Sequence, residues 1–376
     1  MAMADIKANP VPIAVIGAGR WGAHLVRIFL GHPGATLVAV AEGDRDRWDE
    51  LAARFADHPA WGAVRYVPDG FGALAIADLG AVAIADLGAV AIATPASGHY
   101  DLVTAALERG LHVFVEKPLT LDGDQCDRLG TLAQRQGRHL FVDHTYLFHP
   151  AVEAGAAWLR SPDPEASLGR LHYGYGARVH LGPIRQDVDV LWDLAIHDIA
   201  IFNHWLNDTP IAVRAWGQTW LQPGHGTANQ GKSSPDRPDP AAGLADLTWV
   251  QLRYGGGVTA TVHLCWNNPD KQRRLALSGD RGTLIFDELD TSAPLRLRQG
   301  TLEQRDGRFL PGNEGDRVIP IAPGQSLSRA CDRFLADLHR EAPDPRANAH
   351  TAATLVRILA ATSRSLSQDG QIQPIA

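Results

Sequence analysis

The sequence predicts an α/β chain in two parts: a parallel-sheet domain over residues 1–145, then an α+β domain over 146–376 on a mostly antiparallel sheet. Three observations predict it. Pro12 to Gly22 reads PIAVIGAGRWG, an apolar strand running into a glycine turn. Behind it, strand-like and helix-like stretches alternate to about residue 145, as crossovers between parallel strands require. Beyond that point strand-like runs succeed one another with few helices between them, the pattern of antiparallel pairing. At 376 residues the chain exceeds one compact core, so two domains are expected.

Gly17, Gly19 and Gly22 take the first, third and sixth positions of the glycine turn. Gly17 permits the bend, Gly19 lets a diphosphate approach the backbone, and Gly22 lets the following helix pack on the strand. Ala35–Glu42 reads as the second strand, Arg45–Ala56 as a helix and Val64–Val67 as a weak strand. Gly88–Ala93 is a buried strand, His99–Arg109 a helix, Leu111–Val115 a strand, Asp124–Arg135 a helix and His139–His144 a strand. IADLGAVA at 76–83 is repeated at 84–91; two copies are too few for a solenoid, and a duplication lengthening the segment before the Gly88–Ala93 strand is expected.

In the second half, helices are expected at Ala151–Arg160 and Val190–Leu206, with an extended stretch at Arg170–Leu181 between them. Strands are read at Ile211–Thr219, Leu244–Arg253, Val258–Cys265, Arg273–Ser278 and Gly282–Phe286. Gln222–Gly243, rich in Gly, Pro and Ser, reads as a flexible loop. Two helices, Leu327–Arg340 and Ala349–Leu366, close the chain.

Composition narrows the function. Hydrophobic content of 45%, charged content of 20% and a net charge of −7 describe an ordinary globular protein without a basic footprint for nucleic acid. No run is long and apolar enough to span a bilayer, and the first ten residues lack the apolar core of a signal peptide. The three cysteines, Cys126, Cys265 and Cys331, have no metal-type spacing, so a reduced, cytoplasmic setting and no metal site are expected. Only four of the 35 basic residues are lysine, which makes Lys117 conspicuous.

Glu42 ends the second strand twenty-five positions after Gly17. An acid there accepts from ribose hydroxyls and repels a 2′-phosphate, which favours NAD over NADP, although Arg45 and Arg47 lie close enough to blunt that preference. Thr94-Pro95-Ala96 and Glu116-Lys117-Pro118 each follow a buried strand directly, where an open α/β sheet places its ligands. There Lys117 would present an ammonium to a substrate hydroxyl, with its pKa lowered by burial and a nearby nicotinamide cation; taken alone, a lysine at a strand end is solvated more often than catalytic. Trp192-Asp193-Leu-Ala-Ile-His197-Asp198 sets Asp193 and His197 four apart on one helix face. A carboxylate beside an imidazole holds its tautomer and raises its basicity, which suits a general base; the same pair also occurs as structure.

Gly17-x-Gly19-x-x-Gly22, Ala-Thr94-Pro95-Ala, Glu116-Lys117-Pro118 and Trp192-Asp193-x-x-x-His197-Asp198, in this order, resemble the glucose–fructose oxidoreductase/inositol dehydrogenase/rhizopine-catabolism (Gfo/Idh/MocA) family over nearly the whole chain. The resemblance implies an N-terminal Rossmann domain that binds NAD(P), and a C-terminal α+β domain built on an open, mostly antiparallel sheet. That second domain would hold the substrate and the oligomer contacts, with the final helices packing back. It implies Lys117, Asp193 and His197 as the catalytic set, and Gly17, Gly19, Arg20, Trp21, Gly22, Glu42, Thr94, Pro95, His99, Glu116 and Lys117 as the cofactor-binding set. Ala195 stands where many members have glycine; this narrows the backbone and removes no functional group. Val142–Pro150 and Asp187–Trp192 are similar to a nucleotide-sugar branch that includes UDP-N-acetylglucosamine 3-dehydrogenase-like enzymes. On that likeness Tyr146, His149, His180 and Arg185 lie near the substrate, together with Lys117, Asp193 and His197.

The activity implied is hydride transfer between a secondary alcohol of a sugar, nucleotide sugar or cyclitol and nicotinamide, in a homodimer or homotetramer. His197 would take the hydroxyl proton and Lys117 would steady the developing alkoxide. Two rivals stand beside it: a catalytically silent sensor of nucleotide and sugar, and an oxidoreductase that never releases its cofactor. Retention of both Lys117 and His197 argues against the sensor.

Overall fold

The computed structural model describes residues 10–70, 87–163, 166–224, 236, 243–340 and 343–375. The chain divides into two compact units, Met1–His144 with Leu327–Val356, and Thr145–Ser326 with Arg357–Ala376, so each is discontinuous in sequence.

In the first unit six strands, β1 (Val11–Ile16), β2 (Ala35–Ala41), β3 (Arg65–Val67), β4 (Ala89–Ile92), β5 (His112–Glu116) and β6 (Leu140–Asp143), form one parallel sheet in the order β3-β2-β1-β4-β5-β6. Strand order reverses between β1 and β4, and ligands of such sheets lie beyond the carboxyl ends at that reversal. The strands alternate with α1 (Arg20–Gly31), α2 (Arg45–Phe55), α3 (His99–Glu108) and α4 (Gly123–Gln136). Ile13 to Ile16 and Ala89 to Ile92 are buried because helices cover both sheet faces. α1 buries Gly22, Leu25, Val26 and Phe29, a helical stripe. Asp122 starts α4 by accepting from Asp124 N at 2.9 Å and Gln125 N at 3.3 Å, and Gly137 ends it at φ +62°. Of the repeat at 76–91, residues 76–86 lie outside the described residues; the end of the second copy supplies the start of β4.

The second unit carries α5 (Pro150–Leu159) and α6 (Ile196–Leu206), the latter entered through a π-helical turn at Leu191–Ala195. Its strands are β7 (Leu171–Leu181), β8 (Pro210–Gln218), β9 (Gln222–Pro223), β10 (Gly243–Leu244), β11 (Leu247–Tyr254), β12 (Thr259–Cys265), β13 (Asn267–Gly279), β14 (Gly282–Asp287), β15 (Leu295–Arg305), β16 (Arg308–Val318) and β17 (Gln373–Pro374). Nine of them form an open sheet in the order β16-β15-β14-β13-β7-β12-β11-β8-β17, antiparallel except for the β7–β12 pair. β9 and β10 pair as a short ribbon at the base of the Gln222–Gly243 loop, the interior of which, Asp236 apart, lies outside the described residues. The β15–β16 hairpin is an addition to the strands read from the sequence; it turns on Asp306 and Gly307, both at positive φ (50° and 74°). The remaining helices are α7 (Ser326–Asp337) and α8 (Ala349–Ser367). Among the described residues no helix is long and apolar enough to cross a membrane.

The seating of α6 on the sheet depends on a glycine. A Cβ at Gly174 of β7 would lie 2.4 Å from Phe202 of α6, so a larger residue would push the helix away. Residues 174, 176 and 178 share one strand face, which turns Arg178 toward the same helix.

Candidate functional site

The nucleotide end is built from backbone. Gly17 sits at φ +90°, its N–H donates to Ala41 O at 2.8 Å, and a Cβ there would meet Ala93 C at 2.9 Å. A Cβ at Gly22 would lie 1.8 Å from Gly17 O, so only glycine lets α1 start this close to the turn. A Cβ at Gly19 would meet nothing within 4 Å, which leaves open space before the helix. Gly19 is the N-cap residue of α1 and gives it no side-chain cap. Unengaged N–H groups and the positive end of the helix dipole face that space, a cradle for a diphosphate. Arg20 and the exposed Trp21 open the helix, the guanidinium 6.0 Å from the indole ring.

Glu42 is buried at the end of β2; its Oε2 accepts from Ala18 N at 2.7 Å and its Oε1 from Asp44 N at 2.9 Å. A carboxylate has about four acceptor positions, so two remain for a ribose diol. Arg47 approaches Glu42 at 3.9 Å, whereas Arg45 pairs with Asp49 at 3.0 Å. Thr94 Oγ1 is buried without a hydrogen-bond partner among the described residues, a polar atom left for a ligand at the edge of the same crevice. The residues present therefore fit a nicotinamide dinucleotide.

His99, expected at the cofactor, also bridges two loops of the crevice. Its buried ring sets Nδ1 2.9 Å from Pro118 O and Nε2 2.8 Å from Thr94 O, so it ties together the two loops that follow β4 and β5. Both partners are carbonyl acceptors, and each ring nitrogen lies within hydrogen-bond reach of one of them. Glu116 is buried at the end of β5, in register with buried Asp143 on β6. Lys117, half-buried, follows it, and the Lys117–Pro118 bond beyond is cis. Its ammonium acts on His144, whose pKa falls to about 3, first through complete burial and then through Lys117.

In the second unit Asp193 lies in the π turn and His197 in the first turn of α6. Asp189 starts this segment, its Oδ1 accepting from Trp192 N at 2.9 Å; burial pushes its pKa up to about 6 against those backbone donors. The indole of Trp192 donates to Ser363 at 2.8 Å. Arg185 chelates Asp187 (2.9 and 2.6 Å) and donates to Asp193 Oδ1 at 3.4 Å, so Arg185 and Asp193 do come together. His180 has its pKa lowered by burial and then by Arg273, while Asp193 opposes the shift. His149 is the N-cap of α5, its Nδ1 accepting from Ala151 N at 3.1 Å.

Tyr146 and His197 also come together, with ring centroids 4.8 Å apart. The Tyr146 hydroxyl donates to Glu288 at 2.7 Å and accepts from Arg273 at 3.3 Å. The Arg178 guanidinium lies 4.3 Å from the Tyr146 ring and forms two bonds to Asp198, 3.1 and 2.8 Å. Arg178 and Asp198 are 3% and 2% exposed, so this is a buried ion pair. Sequence reasoning gave no role to Arg178, Asp198, Arg273 or Glu288. A signal existed: Arg178 interrupts the inward-facing row Gly174, Gly176, and an arginine on an inward row demands an acid.

The fold is that of a two-part oxidoreductase, one unit a Rossmann sheet with a dinucleotide cradle and the other an open, mostly antiparallel sheet. Residues 11–144 match the oxidoreductase family with the NAD-binding Rossmann fold (GFO_IDH_MocA), and residues 170–285 match the GFO/IDH/MocA C-terminal domain. The chain is 34% identical over 293 residues to UDP-N-acetylglucosamine 3-dehydrogenase of Acidithiobacillus ferrooxidans, covering 77% of this chain and 79% of that one. It is also 34% identical over 268 residues to inositol 2-dehydrogenase 4 of Saccharopolyspora erythraea, covering 68% and 67%. Among solved structures, the A. ferrooxidans enzyme superposes with a TM-score of 0.73 at 22% identity over 95% and 97% of the two chains. GenD2 from gentamicin A biosynthesis, in complex with NAD, gives 0.73 at 20% identity over 98% and 97%. The chain belongs to the Gfo/Idh/MocA oxidoreductase family.

Proposed function

We propose that this protein is an NAD-dependent dehydrogenase that oxidises, reversibly, a secondary alcohol of a sugar, nucleotide sugar or cyclitol. The observation that carries the reading is the position of Lys117, half-buried at the carboxyl end of β5, on the side of the sheet where the glycine turn and Glu42 receive a dinucleotide. Gly17, Gly19 and Gly22 with the start of α1 hold the diphosphate, Glu42 the ribose, and Thr94, Pro95 and Glu116 line the nicotinamide end. When bound, the cofactor accepts the carbinol hydrogen as hydride. His197 takes the hydroxyl proton, Asp193 favours the charged ring, and Lys117 donates to the oxygen as negative charge develops on it. The buried acceptors of Glu42 favour NAD over NADP.

Within this class we favour a nucleotide-sugar substrate, because the 34% identity to the UDP-N-acetylglucosamine enzyme extends over 77% of the chain. A homodimer or homotetramer, in the cytoplasm, accompanies the reading; light scattering of the purified chain reads its mass. The functional test is NAD reduction at 340 nm with UDP-N-acetylglucosamine, myo-inositol, scyllo-inositol and free hexoses. Turnover of one of them, lost in His197→Gln while NAD still binds, is expected. A wild-type chain that binds NAD and turns over none of them points instead to the sensing role.

A further inference from the structure

We infer that Tyr146, Arg178 and Asp198, closed by Glu288 and Arg273, form a positioning frame that sets the orientation and proton affinity of His197. This rests on the reading of His197 as the base. Its ring packs on that of Tyr146, 4.8 Å away and tilted by 53°. Tyr146 itself is fixed at both ends: the Arg178 guanidinium packs on its ring at 4.3 Å, and its hydroxyl is held between Glu288 at 2.7 Å and Arg273 at 3.3 Å. Asp198, next in sequence to His197, is clamped by two bonds to Arg178. One arginine on β7 therefore holds both the residue after the base and the ring against the base.

The frame is also balanced in charge. Arg178 and Arg273 supply two cations; Asp198 and Glu288 supply two anions, with Arg178 3.9 Å and Arg273 3.2 Å from Glu288. The other charged groups of this segment, Arg185, Asp187 and Asp193, are paired among themselves, and Asp189 is bonded to backbone. The two anions offset the two cations around the ring that packs on His197, so removing either anion leaves the frame with a net positive charge. The hydroxyl of Tyr146 is committed to Glu288 and Arg273, so the frame assigns this tyrosine to holding the base rather than to binding the sugar.

The test uses the full chain labelled with ¹³C-histidine, His197 being assigned by the resonance missing from His197→Gln. Tyr146→Phe keeps the ring but frees its far end from Glu288 and Arg273, so kcat is expected to fall about three- to tenfold, less than in Tyr146→Leu. Tyr146→Leu removes the ring; kcat with UDP-N-acetylglucosamine or myo-inositol, whichever the wild type oxidises, is expected to fall about ten- to a hundredfold with the NAD Kd unchanged, the scale of a misplacement of about 1 Å. Asp198→Asn strips an anion from the frame, so the His197 pKa is expected to fall and the acid limb of kcat/KM to move to lower pH. Should Asp198→Asn not fold, Glu288→Gln, at a more exposed site, carries the same charge test. Folded variants in which neither the His197 resonance nor kcat moves overturn the frame. A wild-type chain without turnover, or a His197→Gln variant that retains it, rejects the catalytic reading instead, while the titration still decides whether the frame sets His197.

Discussion

At the candidate sites the two units hold buried polar groups by different means. In the first, Glu42 is fixed by the N–H groups of Ala18 and Asp44, and His99 by the carbonyls of Thr94 and Pro118. In the second, Asp198, Arg178, Tyr146, Glu288 and Arg273 hold one another, side chain to side chain. A main-chain partner cannot be mutated away, so a substitution in the first unit removes one group and leaves its surroundings in place. A side-chain network fails from any member, because each loss leaves a buried charge without its partner. Chemical groups of the first unit should therefore be separable from its stability; those of the second should not.

The sharpest test of that difference is Lys117→Ala. Turnover should fall by about 10² to 10⁴ while the NAD Kd and the unfolding midpoint stay near wild type, as isothermal titration and urea melts would read. A comparable loss of stability would break the contrast. Arg178→Met should show the opposite balance: about 3–5 kcal/mol of destabilisation, since Asp198 is left buried and unpaired. Replacing Asp198 by Leu in the same chain should restore part of it, the signature of a penalty that belongs to the pair. Glu42→Gln retains an acceptor for Ala18 N, so its effect on stability should stay near 1 kcal/mol. Its preference for NAD over NADP, measured as a ratio of kcat/KM, should drop about tenfold because the carboxylate no longer repels a 2′-phosphate.

Stability should also depend on pH. Native His144 stays neutral to pH about 3 and native His112 to about 4, both through burial first, whereas the unfolded rings take a proton near 6.5. The unfolded chain binds more protons in that window, so stability should fall as pH drops from 6.5, less steeply in His144→Leu. Asp189 has the reverse sign: the native carboxyl keeps its proton up to about pH 6 and the unfolded one only to 3.8. Its contribution weakens as pH rises between those values, and Asp189→Asn should flatten that part of the profile.

Much of the first unit was legible because its functional groups lie at strand ends, where a few adjacent residues report both the element and the ligand crevice. Gly17, Glu42, Thr94 and Lys117 each follow a strand that the apolar pattern marks. His99 was read as a crevice residue, but its tie between two carbonyls leaves no trace in residue type. In the second unit Asp193 and His197 were read as four apart on one helix face, while the π turn that holds Asp193 was not read, because residue type does not distinguish it from an α turn. The frame around His197 draws on residues 146, 178, 198, 273 and 288, contributed by different strands and helices, so no local pattern gathers them. The β15–β16 hairpin was missed although Asp306-Gly307 is a strong turn signal. Its outer half alternates little, with Leu302 and Phe309 70% and 67% exposed, so the period that marks a half-buried strand is absent.

The π turn at Leu191–Ala195 holds one residue more than an α turn of similar rise. Five residues at that wider winding and four at about 100° each turn the chain through nearly the same angle, so losing Leu194 would restore ordinary winding and leave the flanking backbone nearly in phase. The turn is thus a one-residue insertion that the helix absorbs without changing direction. A homologue one residue shorter here could keep α6 and its approach in place, and the Arg185–Asp193 bond would be the contact that has to readjust.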